Sequence, residues 1–291
     1  MTDPEGAQPG PRTTRPFGLA LHHYARVQLD AALDWLDAGA KPSKRLHKGI
    51  HQGRKALRRV RATLALGVPA LGPGSELIDR ELRRIIRGLG DIRDGQALLE
   101  TLDRLHANGP TPAVAAHLEH ARRAVVRRRR ALADATLAAD PGLARRRALL
   151  TALAGTLDAL PWATVDAETV DAALQASAQA VDKARERVVA GGRDRDWHRW
   201  RRRMRRRSQQ RTALDACRLV SGDGPPSADP PAPPVALDKD LAVLLGVAQD
   251  LSLLLEHCGR DGGLGKADRT ALAAFARTEL STLRDHIRRC A

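Results

Sequence analysis

His51, Arg54, Arg58 and Arg61 follow one another at spacings of three and four, and Lys44 and His47 continue the series toward the N-terminus. An α-helix turns about 100° per residue, so these side chains share one face. Far along the chain, His198, Arg201 and Arg205 repeat the spacing. Setting His51 over His198 brings Arg54 onto Arg201, Lys55 onto Arg202, Arg58 onto Arg205 and Arg59 onto Arg206. Guanidinium rows led by an imidazole suit the holding of phosphate. Arginine presents a planar fork that takes two oxygens at once, and a histidine can gain charge beside an anion.

A charge run is most often a solvated face, but such a face normally interleaves glutamate. Here no acid stands between Asp37 and Glu76, and none between Asp196 and Asp215. Like charges four apart on a helix cost about 0.2–0.5 kcal/mol per pair, and Arg201/Arg205 and Arg202/Arg206 are two of several such pairs. Leaving out the acids twice, at matching places, points to an anion supplied from outside. His47 and His51 have the i,i+4 spacing of a zinc pair but no third ligand of matching placement, so no metal is expected. A phosphate-facing role for His51 and His198 is favoured over a buried, hydrogen-bonded one.

Asp94 and Asp250 each follow a Leu-Gly pair (Leu89-Gly90 and Leu245-Gly246), a second sign of internal repetition. They read as acids that orient arginines. On this alignment Arg83 falls on Lys239 and Arg93 on Gln249. No paired carboxylates, glycine-rich phosphate loop or Ser/His/Asp set occurs at a recognisable spacing, so neither catalysis nor a cofactor is expected. The four tryptophans are too few for a base-stacking platform and read as packing residues.

The elements that must carry these residues are helices. Ala, Leu and Arg dominate, aromatic residues are scarce, and no strand-like alternation appears. Periodicity predicts helices over about 17–38 (stopped by Gly39), 43–66 (capped by Ser43), 75–105, 112–139, 142–160, 167–190, 194–220, 237–258 and 266–289. In the second of these, Leu46, Ile50, Leu57, Val60 and Leu64 form an apolar stripe beside the cations. Residues 1–16 read as a disordered tail and 221–235 as a flexible Pro-rich loop. The remainder, 17–291, reads as an all-α domain with repeat halves of about 17–160 and 161–291.

Lys plus Arg number 49 against 34 Asp plus Glu, a formal net charge of +15 that draws polyanions. The three cysteines are scattered, with no CxxC pair, which suits a reducing compartment. With no apolar run near the roughly 20 residues needed to span a bilayer, a cytoplasmic location and no membrane partner are expected.

The two copies, His51-x-x-Arg54-Lys55-x-x-Arg58-Arg59-x-Arg61 and His198-x-x-Arg201-Arg202-x-x-Arg205-Arg206, together with Leu89-Gly90-x-x-Arg93-Asp94, resemble the CHAD family, the conserved histidine α-helical domain. The resemblance covers Phe17 to Arg289. It implies two helical bundles related by a pseudo-two-fold and enclosing a basic groove or pore. It also implies binding of inorganic polyphosphate, association with polyphosphate granules, and nucleic acid only as a weaker polyanion. The binding residues would be Lys44, His47, His51, Arg54, Lys55, Arg58, Arg59, Arg61, Arg83, Arg87, Arg93, His198, Arg201, Arg202, Arg205, Arg206 and Lys239. Some members carry a fused triphosphatase of the CYTH type, but its Glu-x-Glu-x-Lys signature is missing here. The chain departs from the family pattern at Arg207-Ser208-Gln209, where an aliphatic, a basic residue and a tyrosine are usual, and at Gln249. Nucleic-acid binding or phosphoanhydride processing are the competing readings.

Overall fold

The structure, a computed structural model, describes residues 17–38, 44–221, 236–259 and 263–290. The expected tail, the Gly39 stop, the Ser43 cap and nearly all of the Pro-rich loop lie outside the described residues. Among those described there are ten α-helices and no strand. They are α1 (Phe17–Ala38), α2 (Lys44–Gly67), α3 (Gly72–Gly88), α4 (Gly90–Ala107), α5 (Pro112–Ala139), α6 (Ala144–Asp158), α7 (Ala167–Val189), α8 (Asp194–Ser221), α9 (Ala236–His257) and α10 (Lys266–Cys290). Short 3-10 turns at Pro141–Leu143 and Trp162–Thr164 precede α6 and α7.

One boundary differs from expectation. The single helix expected over 75–105 is two, α3 and α4, broken at Leu89, where φ is −104° and ψ is 11°. Leu89 stands between Gly88 and Gly90, the residue type least held to helical geometry after proline. Its own side chain is fully buried and pins the corner to the core. Periodicity runs through this break because both helices bury leucine and isoleucine at similar spacing.

The apolar stripe of α2 behaves as its spacing dictates. Leu46, Ile50, Leu57, Val60 and Leu64 are all buried. Gly53 lets α1 pack close along α2, since a Cβ there would stand 3.2 Å from the Leu36 side chain. Asp166 caps α7 by accepting from the Thr169 backbone N–H at 2.8 Å. Asp140 accepts from the Arg145 N–H at 2.9 Å and pairs with the Arg146 guanidinium at 2.6 Å, tying down the start of α6.

Two hydrophobic cores result. One gathers α1, α2, α3 and α6 with the start of α4, the C-terminal part of α5, Val170 of α7, and Ala213, Leu214 and Cys217 of α8. The other gathers α9 and α10 with the rest of α4, Leu118, Ala121 and Val125 of α5, the second half of α7, and Trp197 and Trp200 of α8. Helices α4, α5, α7 and α8 therefore serve both. The basic stretch of α8 lies between its two apolar ends, where α8 also packs on α2.

Close packing at the start of α1 gives a test. A Cβ on Gly18 would stand 1.8 Å from the Trp162 carbonyl oxygen, whereas one on Gly155 of α6 would meet nothing within 4 Å. Gly18→Ala should cost about 1–3 kcal/mol, at ~2–4 °C of Tm per kcal/mol for a domain of this size. Gly155→Ala should hold or raise Tm through helix propensity. Thermal melts followed by circular dichroism compare the two.

Candidate anion-binding site

Helices α2 and α8 bring Arg54, Arg58, Arg201 and Arg205 into one cluster, and α4 adds Arg93. Arg58 and Arg205 are at its centre. Burial pushes the Arg58 guanidinium down to about 9, helped by Arg205, Arg54, Arg201 and Arg93. Burial likewise pushes Arg205 down to about 10, with Arg201, Arg54 and Arg93 adding and Asp250 opposing. Arg54 and Arg201 are also lowered, mainly by burial, against the pull of Asp94 and Asp250 respectively. Arg54 is only 8% exposed, and its Nε and Nη1 have no hydrogen-bond partner. Among the described residues, none of Arg54, Arg58, Arg201 and Arg205 has a carboxylate within 4.0 Å, while arginines elsewhere, such as Arg146 and Arg147, sit 2.6 Å from one.

The Leu-Gly elements seat the leading arginine of each repeat. A Cβ on Gly90 would stand 3.6 Å from Arg54 Nη1, and one on Gly246 would stand 3.8 Å from Arg201 Nη2. Four residues on, Asp94 and Asp250 face the same arginines. Burial raises both carboxyls, and Arg54 and Arg201 respectively are the strongest influences holding them down. Each guanidinium thus packs beside its glycine, under the influence of the aspartate that steadies it.

Both repeat histidines are solvent-accessible. His51 is lowered by burial, then by Arg93, with Arg58 and Lys55 adding and Glu100 opposing. His198 is lowered by burial and by Arg202, Arg201 and Arg205, against its hydrogen bond to Gln249. Its Nδ1–H donates to Gln249 Oε1. Arg93 and Gln249, aligned in the repeats, thus both face the histidine of their own copy. The bond to Gln249 leaves His198 Nε2 as a lone pair in the neutral ring, so His198 can donate to an anion only after protonation.

The other expected residues divide among several places. Lys55 and Arg202 are exposed, each beside the histidine of its repeat. Arg61, Arg83 and Arg206 gather around Asp79. Arg61 Nε and Arg83 Nη2 each lie 2.7 Å from its carboxylate, and Asp79 is the strongest opposing charge on Arg206. Arg59 faces α1, donating to Gln28 Oε1 at 3.0 Å. His47 lies beside Arg129 of α5. Arg87 is exposed near the end of α3. The side chains of Lys44 and Lys239 lie outside the described residues. Among the described residues, no third His, Cys, Asp or Glu joins His47 and His51 to make a metal cluster.

Sequence reasoning missed Arg104, Glu100 and Asp79. Arg104 Nη1 stands 3.8 Å from Asp250, and Arg93 Nη1 stands 3.8 Å from Glu100. Arg104 follows Arg93 by eleven residues, three helical turns, so spacing on α4 was a usable signal. Asp79 shows no such mark, since its role depends on where α3 packs.

The cluster concentrates charge that the free protein does not neutralise, and this has a measurable cost. Arg58 titrates near 9 in the fold and well above that in the unfolded chain, so at neutral pH its charged form opposes folding. Arg58→Met should therefore stabilise the free protein by about 1–4 kcal/mol, the scale of buried charges replaced by apolar groups, and so raise its Tm. Calorimetry without added polyanion checks this. An unchanged or lower Tm would mean that the guanidinium contributes packing instead.

The CHAD domain family model matches residues 23–257. PptA from Streptomyces chartreusis superposes with a TM-score of 0.64 at 20% identity, over 95% of this chain and 99% of that one. No curated protein sequence matches the chain. Among the described residues, no helix is long and apolar enough to cross a membrane. With the family model spanning most of its length, both basic repeats included, the chain belongs to the CHAD family.

Proposed function

We propose that this protein binds inorganic polyphosphate, without hydrolysing it, through the arginine cluster between α2 and α8. The observation that carries the reading is that Arg54, Arg58, Arg201 and Arg205 converge from both repeats with no carboxylate in ion-pair range among the described residues. A multivalent anion threaded between the helices would meet four or five guanidiniums at once and relieve their mutual repulsion. Membership in a family that binds polyphosphate supports the same ligand. The scarcity of aromatic residues favours a polyanion without bases over nucleic acid. Asp94 and Asp250 are engaged with Arg54 and Arg201, an arrangement that suits orientation rather than metal-assisted hydrolysis. A cytoplasmic protein recruited to polyphosphate granules is the setting this function implies.

The test is competition binding at one fixed salt concentration with polyphosphate, duplex DNA, single-stranded DNA and ATP. Polyphosphate should bind tightest, and affinity should fall steeply with salt as counterions are released. A charge-assisted contact out of water contributes about 1.5–3 kcal/mol, so Arg54→Ala with Arg201→Ala should weaken binding well over tenfold while the fold holds. Retained affinity in a folded double variant would place the ligand elsewhere. Incubation with polyphosphate or nucleoside triphosphate and divalent metal should release no phosphate above the protein-free rate.

The histidines predict the pH dependence. Both sit below the ordinary imidazole value in the free protein, and a neighbouring phosphate raises them, so binding takes up protons. Affinity should rise as pH falls through the bound-state pKa, then level off below the free-state value. Titrations from mildly alkaline to mildly acidic pH should show this in the wild type, and His51→Gln with His198→Gln should flatten the profile.

A further inference from the structure

Arg284 of α10 is a cation set in an apolar row. Leu280, four residues before it, and Ile287, three after it, are buried in the second core, and the Arg284 side chain is only 16% exposed. Its Nε has no hydrogen-bond partner. The rest of the guanidinium reaches two other helices. Nη1 lies 2.6 Å from Oδ1 of Asp194, the first residue of α8, and Nη2 donates to Ser252 Oγ of α9 at 3.5 Å. Its Cζ stands 5.1 Å from the centre of the Trp197 ring, close enough to be drawn by the negative face of the indole. Arg288 stands 5.3 Å over the same ring but has a carboxylate on its own helix, Asp285 at 2.8 Å. The three contacts of Arg284 all lead off α10.

Those contacts end beside the second repeat. Asp194 precedes His198 by one helical turn, Trp197 adjoins it, and Arg201 follows Trp197 by one turn. On α9, Ser252 lies close after Gln249, which accepts from His198, and after Gly246, where a Cβ would stand 3.8 Å from Arg201 Nη2. The guanidinium therefore joins the two helices whose relative placement sets both meetings. A charge taken out of water is seldom worth more to stability than an apolar side chain of its size, and what it adds is a fixed geometry between the parts it joins. We propose that Arg284 is a positioning residue for the polyphosphate site: without touching the anion, it clamps the first turn of α8 to α9, so that His198 and Arg201 are held toward the ligand. This inference rests on the polyphosphate reading of the main cluster. The clamp belongs to the second copy alone, since Ile50 takes the place of Trp197 in the first and offers no ring to a cation.

Nitrogen-15 NMR of the imidazoles in the free protein reads the clamp. In the wild type, neutral His198 should carry its proton on Nδ1, the tautomer that donates to Gln249. In Arg284→Met that bond should loosen and His198 should move toward the tautomer mixture of a free imidazole, with His51 unchanged. The same folded variant should bind polyphosphate about tenfold more weakly, as if one charge-assisted contact were lost. This loss should remain whole in an Arg54→Ala background and shrink in an Arg201→Ala background. Gly18→Ala, a destabilising change at the start of α1, should move neither the His198 signal nor the affinity. Should Arg284→Met fail to fold, Asp194→Asn removes the ion pair at an exposed carboxylate, and the His198 signal should shift the same way. A His198 signal unmoved in a folded variant, an affinity loss equal in both backgrounds, or an equal loss in Gly18→Ala overturns the clamp. A wild type that binds no polyphosphate overturns the main reading, while the His198 signal of the free protein still decides whether Arg284 positions that ring.

Discussion

The structure depends on holding like charges together in a partly desolvated place. Burial depresses both the Arg58 and the Arg205 guanidinium, Arg205 lowers Arg58 further, and Arg54, Arg201 and Arg93 add to both. Nothing in the cluster itself would keep five cations in company. What does so is the apolar side of each helix. Leu57 and Val60 flank Arg58 on α2, Trp197 and Trp200 precede Arg201 on α8, and all four are buried. Hydrophobic burial alongside the cations of each helix thus sustains their electrostatic strain.

Acids are present, but at the margins. Asp94 and Asp250 steady the outer arginines, and Asp79 collects Arg61, Arg83 and Arg206 at a separate place. The two repeats are not equal in this. The first puts Arg93 beside its histidine, and the second puts Gln249 there as a hydrogen-bond acceptor. Arg93 makes up part of the difference because its charge is felt by Arg201 and Arg205 as well as by Arg58. One arginine on α4 serves both copies.

Much of this was legible in the sequence, and the reason is periodicity. The spacing of Leu46, Ile50, Leu57, Val60 and Leu64 marked α2 and its buried side, and the alignment of His51 with His198 marked the residues that α2 and α8 bring together. Less legible was anything decided by a third element. Arg61 belongs to the same row as Arg58, yet Asp79 of α3 draws it to another group, and Gln28 of α1 takes Arg59. Leu89-Gly90 was visible as an interruption repeated at Leu245-Gly246, but that it ends one helix and starts another was hidden because apolar spacing continues across it. Arg284 was hidden because Arg288 and Arg289 follow it and make it look like one more exposed cation.

Sharing α4, α5, α7 and α8 between the cores has a consequence for how such a protein can change over generations. A duplicated gene normally leaves two copies free to separate, circulate or be lost one at a time. Here Trp197 and Ala213 belong to one helix but to different cores, so severing the copies would strip apolar seams from both. The interlock ties the helices of both cores into one unit, so neither core could be kept intact while the other was lost.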